Sequence, residues 1–272
     1  MPVFDTPTAI TVVLDVRSGD VRISTSERPD TVVEVHPGDA GEGARVEFVD
    51  GTLTISVPAP PRRGLLSRLL GRTPEVTIDL PAGSHVRGSV TGETRASGRL
   101  GECRLRTSAG DIRLGHTGPA ELTTRDGEID VRIIDGAASI TNTNGETRIG
   151  KVTGHLRLSD TNGEMSVDRA LGDVDGRTAY GAISIGEVVC GTVTLATAGG
   201  ELAVGIAADT SAWLDIDTAG GAVHNELDDA SGPGASGETV EIHARTGGGD
   251  IRIHRAGDIR IHRAGDIRIH RA

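Results

Sequence analysis

The sequence predicts an all-β chain, a parallel β-solenoid (β-helix-like) with about 18 residues and two short strands per coil. Three observations lead there. First, Gly92, Gly110, Gly127, Gly145, Gly163, Gly181 and Gly200 recur at steps of 17 to 19 residues, and all but the first open one phrase: "AGDIRLG", "DGEIDVR", "NGETRIG", "NGEMSVD", "YGAISIG", "GGELAVG". Second, apolar and polar residues alternate after each glycine, the mark of a strand with one buried face. Third, like residues return to the same column for six copies. Columns of that kind form when each coil lies on the last at the inter-strand spacing of about 4.8 Å. The alternative is an antiparallel β meander or roll, suggested by the "DG" at Asp126 and the "NG" at Asn144 and Asn162, which are hairpin signals. A meander has no reason to keep a column for so long.

Residues 1–83 read as irregular N-terminal coils of a single domain covering 1–256. The phrase recurs once at Gly19 and Asp20, an irregular stretch follows at 38–44, and strands are expected at 46–49 and 53–57. A loop insertion at about 58–74, "PAPPRRGLLSRLLGRTP", puts Leu65, Leu66, Leu69 and Leu70 on one face of a short helix, with Arg62, Arg63, Arg68 and Arg72 around it. Two turns are too short to hold a membrane surface strongly. The segment is read as a loop folded over the end or side of the solenoid.

Regular coils occupy 84–206, and their turn glycines are the seven named above. The inward columns hold Ile112 and Leu114, Ile129 and Val131, Ile149, Val167, Ile183 and Ile185, and Leu202 and Val204 after the odd glycines; Leu156 and Leu158, and Val193 and Leu195, follow the even ones. Longer C-terminal coils fill 207–256, with an acidic, Gly- and Ser-rich loop at 225–237 and a last strand pair at 240–244 and 251–253. In the tail, 257–272, "GDIRIHRA" is repeated twice more without change after its first copy at 249–256. An eight-residue unit does not fit an 18-residue coil, so the tail is expected to be a loose strand pair or a frayed extension without a functional part.

Chemistry is sparse. Glu93, Asp111, Glu128, Glu146, Glu164 and Glu201 form an acidic turn column, broken at Ala182. Oxygen ligands at that spacing could bridge a divalent cation, but the Gly-Gly-x-Gly-x-Asp pattern of calcium-binding rolls is absent, and Arg95, Arg113 and Arg148 stand nearby. The column is read as a solvated turn face, with no metal and no cofactor. His36, His85, His116, His155, His224 and His243 show no ligand spacing to a Cys or an acid, and His254, His262 and His270 of the repeated octapeptide have no ligand set beside them. Cys103 falls on an inward column and Cys190 before a turn, which reads as two reduced thiols. No phosphate loop, zinc motif or nucleophile elbow is present.

The net charge of -11 argues against nucleic acid, and with Phe4, Phe48, Tyr180 and Trp213 as the only rings there is no platform for stacking bases and little for sugars. Lys151 is the single lysine among 28 basic residues, a bias of GC-rich genomes. "MPVFDTPTAITVVLDV" has neither a basic leader nor a membrane span, so a cytoplasmic address is expected.

The phrases "VRSGDVRIST", "IDLPAGSHVRG", "GRLGECRLRTSAGDIRLGHTGPAEL" and "ARTGGGDIRIHRA" resemble the actinobacterial branch of a bacterial family of adhesin-type β-strand-repeat proteins, a domain of unknown function. The resemblance covers about residues 1–256 and implies a β-helix-like fold. It brings no catalytic motif. The expected function is a non-enzymatic scaffold or binding protein, self-associating through the solenoid ends or holding a protein partner on a flat face. The alternative is a β-helix lyase or hydrolase acting on polysaccharide, whose two acids would meet from distant coils.

Overall fold

The computed structural model describes residues 2–36, 43–59, 73–227 and 237–257. The Leu65–Leu70 segment, most of the acidic loop and residues 258–272 of the tail therefore lie outside the described residues. Alternation produces strands and little else: β1 (Val3–Asp5), β2 (Thr11–Val16), β3 (Asp20–Ser26), β4 (Asp30–His36), β5 (Arg45–Val49), β6 (Thr52–Val57) and β7 (Glu75–Pro81) come first. The regular coils follow as β8 (His85–Val90), β9 (Thr94–Arg99), β10 (Cys103–Ala109), β11 (Ile112–Thr117), β12 (Ala120–Asp126), β13 (Ile129–Ile134), β14 (Ala138–Thr141), β15 (Thr147–Val152), β16 (Leu156–Asn162), β17 (Met165–Ala170), β18 (Val174–Tyr180), β19 (Ile183–Val188), β20 (Gly191–Gly199) and β21 (Leu202–Ile206). The chain closes with β22 (Ser211–Thr218), β23 (Val223–Asn225), β24 (Thr239–Thr246) and β25 (Ile251–Arg255). Among the described residues, no helix is long and apolar enough to cross a membrane.

These strands build two sheets, two strands per coil. The first sheet runs β1-β4-β7-β3-β9-β11-β13-β15-β17-β19-β21-β25-β23, and the second β22-β24-β20-β18-β16-β14-β12-β10-β8-β2-β6-β5. Pairing is parallel and in register from coil to coil, for example Ile129 on Thr147 and Thr147 on Met165. Among the described residues, only β1–β4, β4–β7 and β5–β6 are antiparallel. Those three pairings close the N-terminal end, where Phe4 and Phe48 from opposite sheets meet at 5.2 Å between ring centroids.

Coil order in space departs from chain order at both ends. The coil β2–β3 lies inside, stacked on β8–β9, while the later coil β6–β7 lies outside it. The C-terminal end mirrors this: β24–β25 is inserted between β20–β21 and the outermost β22–β23. Since every coil presents the same kind of pleated edge, connection length rather than edge chemistry permits the exchange.

The core is the seam between the sheets. Ile112, Leu114, Ile129, Val131, Ile149, Leu156, Leu158, Val167, Ile183, Ile185, Val193, Leu195, Leu202 and Val204 are all 3% exposed or less. The first sheet adds a further inward column, Thr117, Ile134, Val152, Ala170 and Val188, where alternation slips by one residue. At that slip the ladder skips the pairs Gly115/Arg132, Arg132/Gly150 and Gly150/Asp168, so each strand bends there.

The turn glycines serve corners between sheets, not hairpins. Gly92, Gly110, Gly127, Gly145, Gly181 and Gly200 have positive φ. Gly163 does not, so the "NG" at Asn162, a hairpin signal in the sequence, makes no left-handed turn here. Position 163 is still confined to glycine, because a Cβ there would overlap the carbonyl oxygen of Gly145 one coil away.

Candidate functional site

The outer face of the first sheet carries a groove. Residues following the first inward position place Arg22, Arg95, Arg113, Asp130, Arg148 and Ser166 in one column across β3, β9, β11, β13, β15 and β17. Two residues on, at the bend, stand Ser24, Ser97, Gly115, Arg132, Gly150 and Asp168. Small side chains at the bend leave a trough of about 700 Å³ bounded by these two columns. Across six strands it runs about 24 Å along the solenoid axis. Gly150 cannot be enlarged, since a Cβ would overlap the Arg132 carbonyl.

The arginines are tethered by the acidic turn column. Arg95 bonds Glu93 at 2.6 Å, Arg113 sits among Glu93, Asp111 (2.8 Å) and Glu128 (3.4 Å), and Arg148 pairs with Glu146 and Arg22 with Glu75. Burial works against the Arg113 charge, but Asp111, Glu93 and Glu128 outweigh it and hold its pKa above the ordinary value. The acids therefore orient guanidinium groups over the groove, and each guanidinium, with five donors, keeps some free. Arg132 has no ion pair among the described residues. Desolvation, then the charge of Asp130, pushes the Asp168 carboxyl up.

Some histidines meet acids from neighbouring coils. His116 Nε2 lies 2.7 Å from Asp135 Oδ2, and His243 lies 3.2 Å from Asp215 and 3.0 Å from Glu241. The Asp135 and Asp215 contacts are made across coils, which sequence spacing does not show, whereas Glu241 stands two residues from His243 on the same strand. They lie at the surface, and the hydrogen bonds from His116 and His243 are the leading causes that lower the pKa values of Asp135 and Asp215. Among the described residues no cluster of three or more His, Cys, Asp or Glu side chains could hold a metal ion. Cys103 and Cys190 are free thiols; burial pushes Cys103 up to about 12.

A polar column inside the second sheet went unread, although its signal was plain. The third residue before the turn glycine is Thr107, Thr124, Asn142, Asp160, Thr178, Thr197 and Thr246 in successive coils, each buried. Thr197, Thr246 and Thr218 donate their hydroxyls to Gly181, Gly200 and Gly249 carbonyls at 3.3, 3.1 and 3.0 Å, and Asn142 donates its amide to Gly127 at 3.1 Å. Each bond ties a rung to the turn of the adjoining coil.

No family model and no curated protein matches the chain. Among solved structures it is similar to a protein from Bacteroides fragilis described as a putative adhesin, at 12% identity and a TM-score of 0.47, over 93% of this chain and 95% of that one. It is also similar to one from Clostridium sporogenes described as a putative cell adhesion protein, at 15% identity and a TM-score of 0.20, over 93% and 98%.

Proposed function

We propose that the chain is a non-enzymatic, adhesin-like binding scaffold whose working surface is the arginine groove of the first sheet, and that its ligand is an extended acidic polysaccharide. One observation carries this: Arg22, Arg95, Arg113, Arg132 and Arg148 line a trough about five strand spacings long together with Asp130 and Asp168, while the turn acids that hold four of these arginines stand outside the lining. No aromatic ring lines the trough, so recognition falls to guanidinium–carboxylate pairs rather than to stacking on sugar faces. Binding of polygalacturonate, with neutral dextran as control, is the test, read by titration calorimetry. Polygalacturonate binds in a salt-dependent way, dextran does not, and Arg132→Ala together with Arg148→Ala weakens binding at least about tenfold. Equal binding of both polymers, or of neither, would overturn the proposal.

A second reading, a polysaccharide lyase or hydrolase, is favoured by Asp130 and Asp168 sharing the trough with Asp168 shifted toward its neutral form. Release of reducing ends or unsaturated uronate from polygalacturonate, lost in Asp168→Asn, would select it.

A further inference from the structure

Asp160 stands in a column of hydrogen-bond donors. Asn142 and Thr178 flank it on the neighbouring rungs, and Thr197 and Thr246 farther along each donate to a turn-glycine carbonyl. The carbonyl in the equivalent place for Asp160 is that of Gly145. A Cβ added at Gly163 would meet both this oxygen and, at 2.8 Å, Asp160 Oδ2, so both oxygens border the same small space beside Gly163. Asp160 is only 6% exposed, and neither carboxylate oxygen has a hydrogen-bond partner of good geometry. An ionised carboxylate can only accept, and here it would face a second acceptor inside the protein.

We infer that Asp160 is held as a neutral carboxylic acid whose O–H donates to the Gly145 carbonyl, making the centre of the solenoid a proton-binding site. The inference is independent of the groove. Its surroundings offer no counter-charge: β14 and its extension bring Asn142, β18 brings Thr178, and the adjoining starts of β15 and β17 bring Thr147 and Met165. The turn acids Glu146 and Glu164 lie on the outer surface, Glu146 paired with Arg148, and Tyr180 at the end of β18 is 67% exposed. Desolvation raises the Asp160 pKa, against the backbone amides of Thr161 and Asn162, which pull it down. A carboxyl whose folded pKa is raised takes up a proton on folding. Stability is therefore greatest below the unfolded value of about 3.9, falls as pH rises through the window up to the folded pKa, and stays at the lower level above it.

The test compares melting temperature against pH for the full chain, Asp160→Thr and Asp160→Asn, with infrared difference spectra for the protonated carboxyl band. Asp160→Thr, which places the Thr178 residue type of the next coil here, melts above the unsubstituted protein, and its advantage grows as pH rises from the unfolded carboxyl value through the folded one. The carboxylic band of the unsubstituted protein persists above the ordinary carboxylate range and is missing in Asp160→Asn. An advantage that does not change with pH, or a band unaffected by Asp160→Asn, would overturn the inference. So would calcium chloride raising the melting temperature of the unsubstituted protein but not of Asp160→Thr, which would make the cradle a cation site.

Discussion

Asn162 donates its side-chain amide to Asn144 Oδ1 at 3.1 Å, one coil away, and Asn144 donates in turn to Asp126 Oδ1 at 2.9 Å. The "DG" and "NG" phrases are thus rungs of an external ladder along the corner of the solenoid, matched by the turn amides: Gly127 donates to the Asn144 carbonyl and Gly145 to that of Asn162. Asn144, with a bond on each side, should matter more than Asn162. Asn144→Ala is expected to cost about 1 to 3 kcal/mol and Asn162→Ala about half of that, measured by urea unfolding. Equal losses would mean that the ladder does not act through its central rung.

Gly145 combines φ +137° with a Cβ position that would overlap the Gly127 carbonyl. Gly145→Val should therefore lose several kcal/mol, about 1 to 3 of it from backbone strain alone. Gly248 has nothing within 4 Å and no left-handed φ, so Gly248→Ala should stay within about 0.5 kcal/mol. Thermal melts of the two variants give the comparison.

Leu158 is 1% exposed and paired between Ile140 and Gly176, whereas the Arg157 side chain is 65% exposed. Leu158→Ala should cost about 2 to 5 kcal/mol, and Arg157→Ala within about 0.5, since its contact with Asp175 is at the surface. Similar losses at the two positions would place the strand in the wrong register.

Cys103 is fully enclosed and its thiol is pushed up to about 12, while Cys190 is half-buried and hydrogen-bonds the Leu171 carbonyl at 3.5 Å. Desolvation, Glu238 and Asp173 also raise Cys190. A thiol reagent at neutral pH should label Cys190 slowly and Cys103 only after unfolding, as mass mapping of the labelled peptides would show.

How much of this was legible in the sequence varies by feature. The inward pairs such as Ile183 and Ile185 follow directly from strict alternation, and Gly176 interrupts its column for a packing reason: a Cβ would crowd Leu195 Cδ2 at 2.9 Å. The column of Ile134 and Val152 lies past a bulge, where period-two reading loses its parity. The "DG" and "NG" phrases could not by themselves separate the solenoid from a meander, because a sheet-to-sheet corner calls on the same tolerant residues as a hairpin. The exchange of β2–β3 with β6–β7 was hidden, since coils with interchangeable edges carry no local mark of their neighbour. The groove was half-readable: Arg95, Arg113 and Arg148 share a column, but Arg132 joins them only through the bend.

The stacking itself is tested most directly by electron–electron distances between nitroxides on one outward column of the second sheet, with Thr194 as the fixed site. The column runs Thr194, Asp175, Arg157, Ser139, Glu121, Arg104, Arg87, Val13, Thr54. At about 4.8 Å per coil, labels at Arg104, Arg87, Val13 and Thr54 should lie about 24, 29, 34 and 38 Å from Thr194. That order puts residue 54 beyond residue 13. Distances that fail to grow by one strand spacing per coil, or that place residue 13 farthest, would contradict the parallel solenoid or its exchanged N-terminal coils.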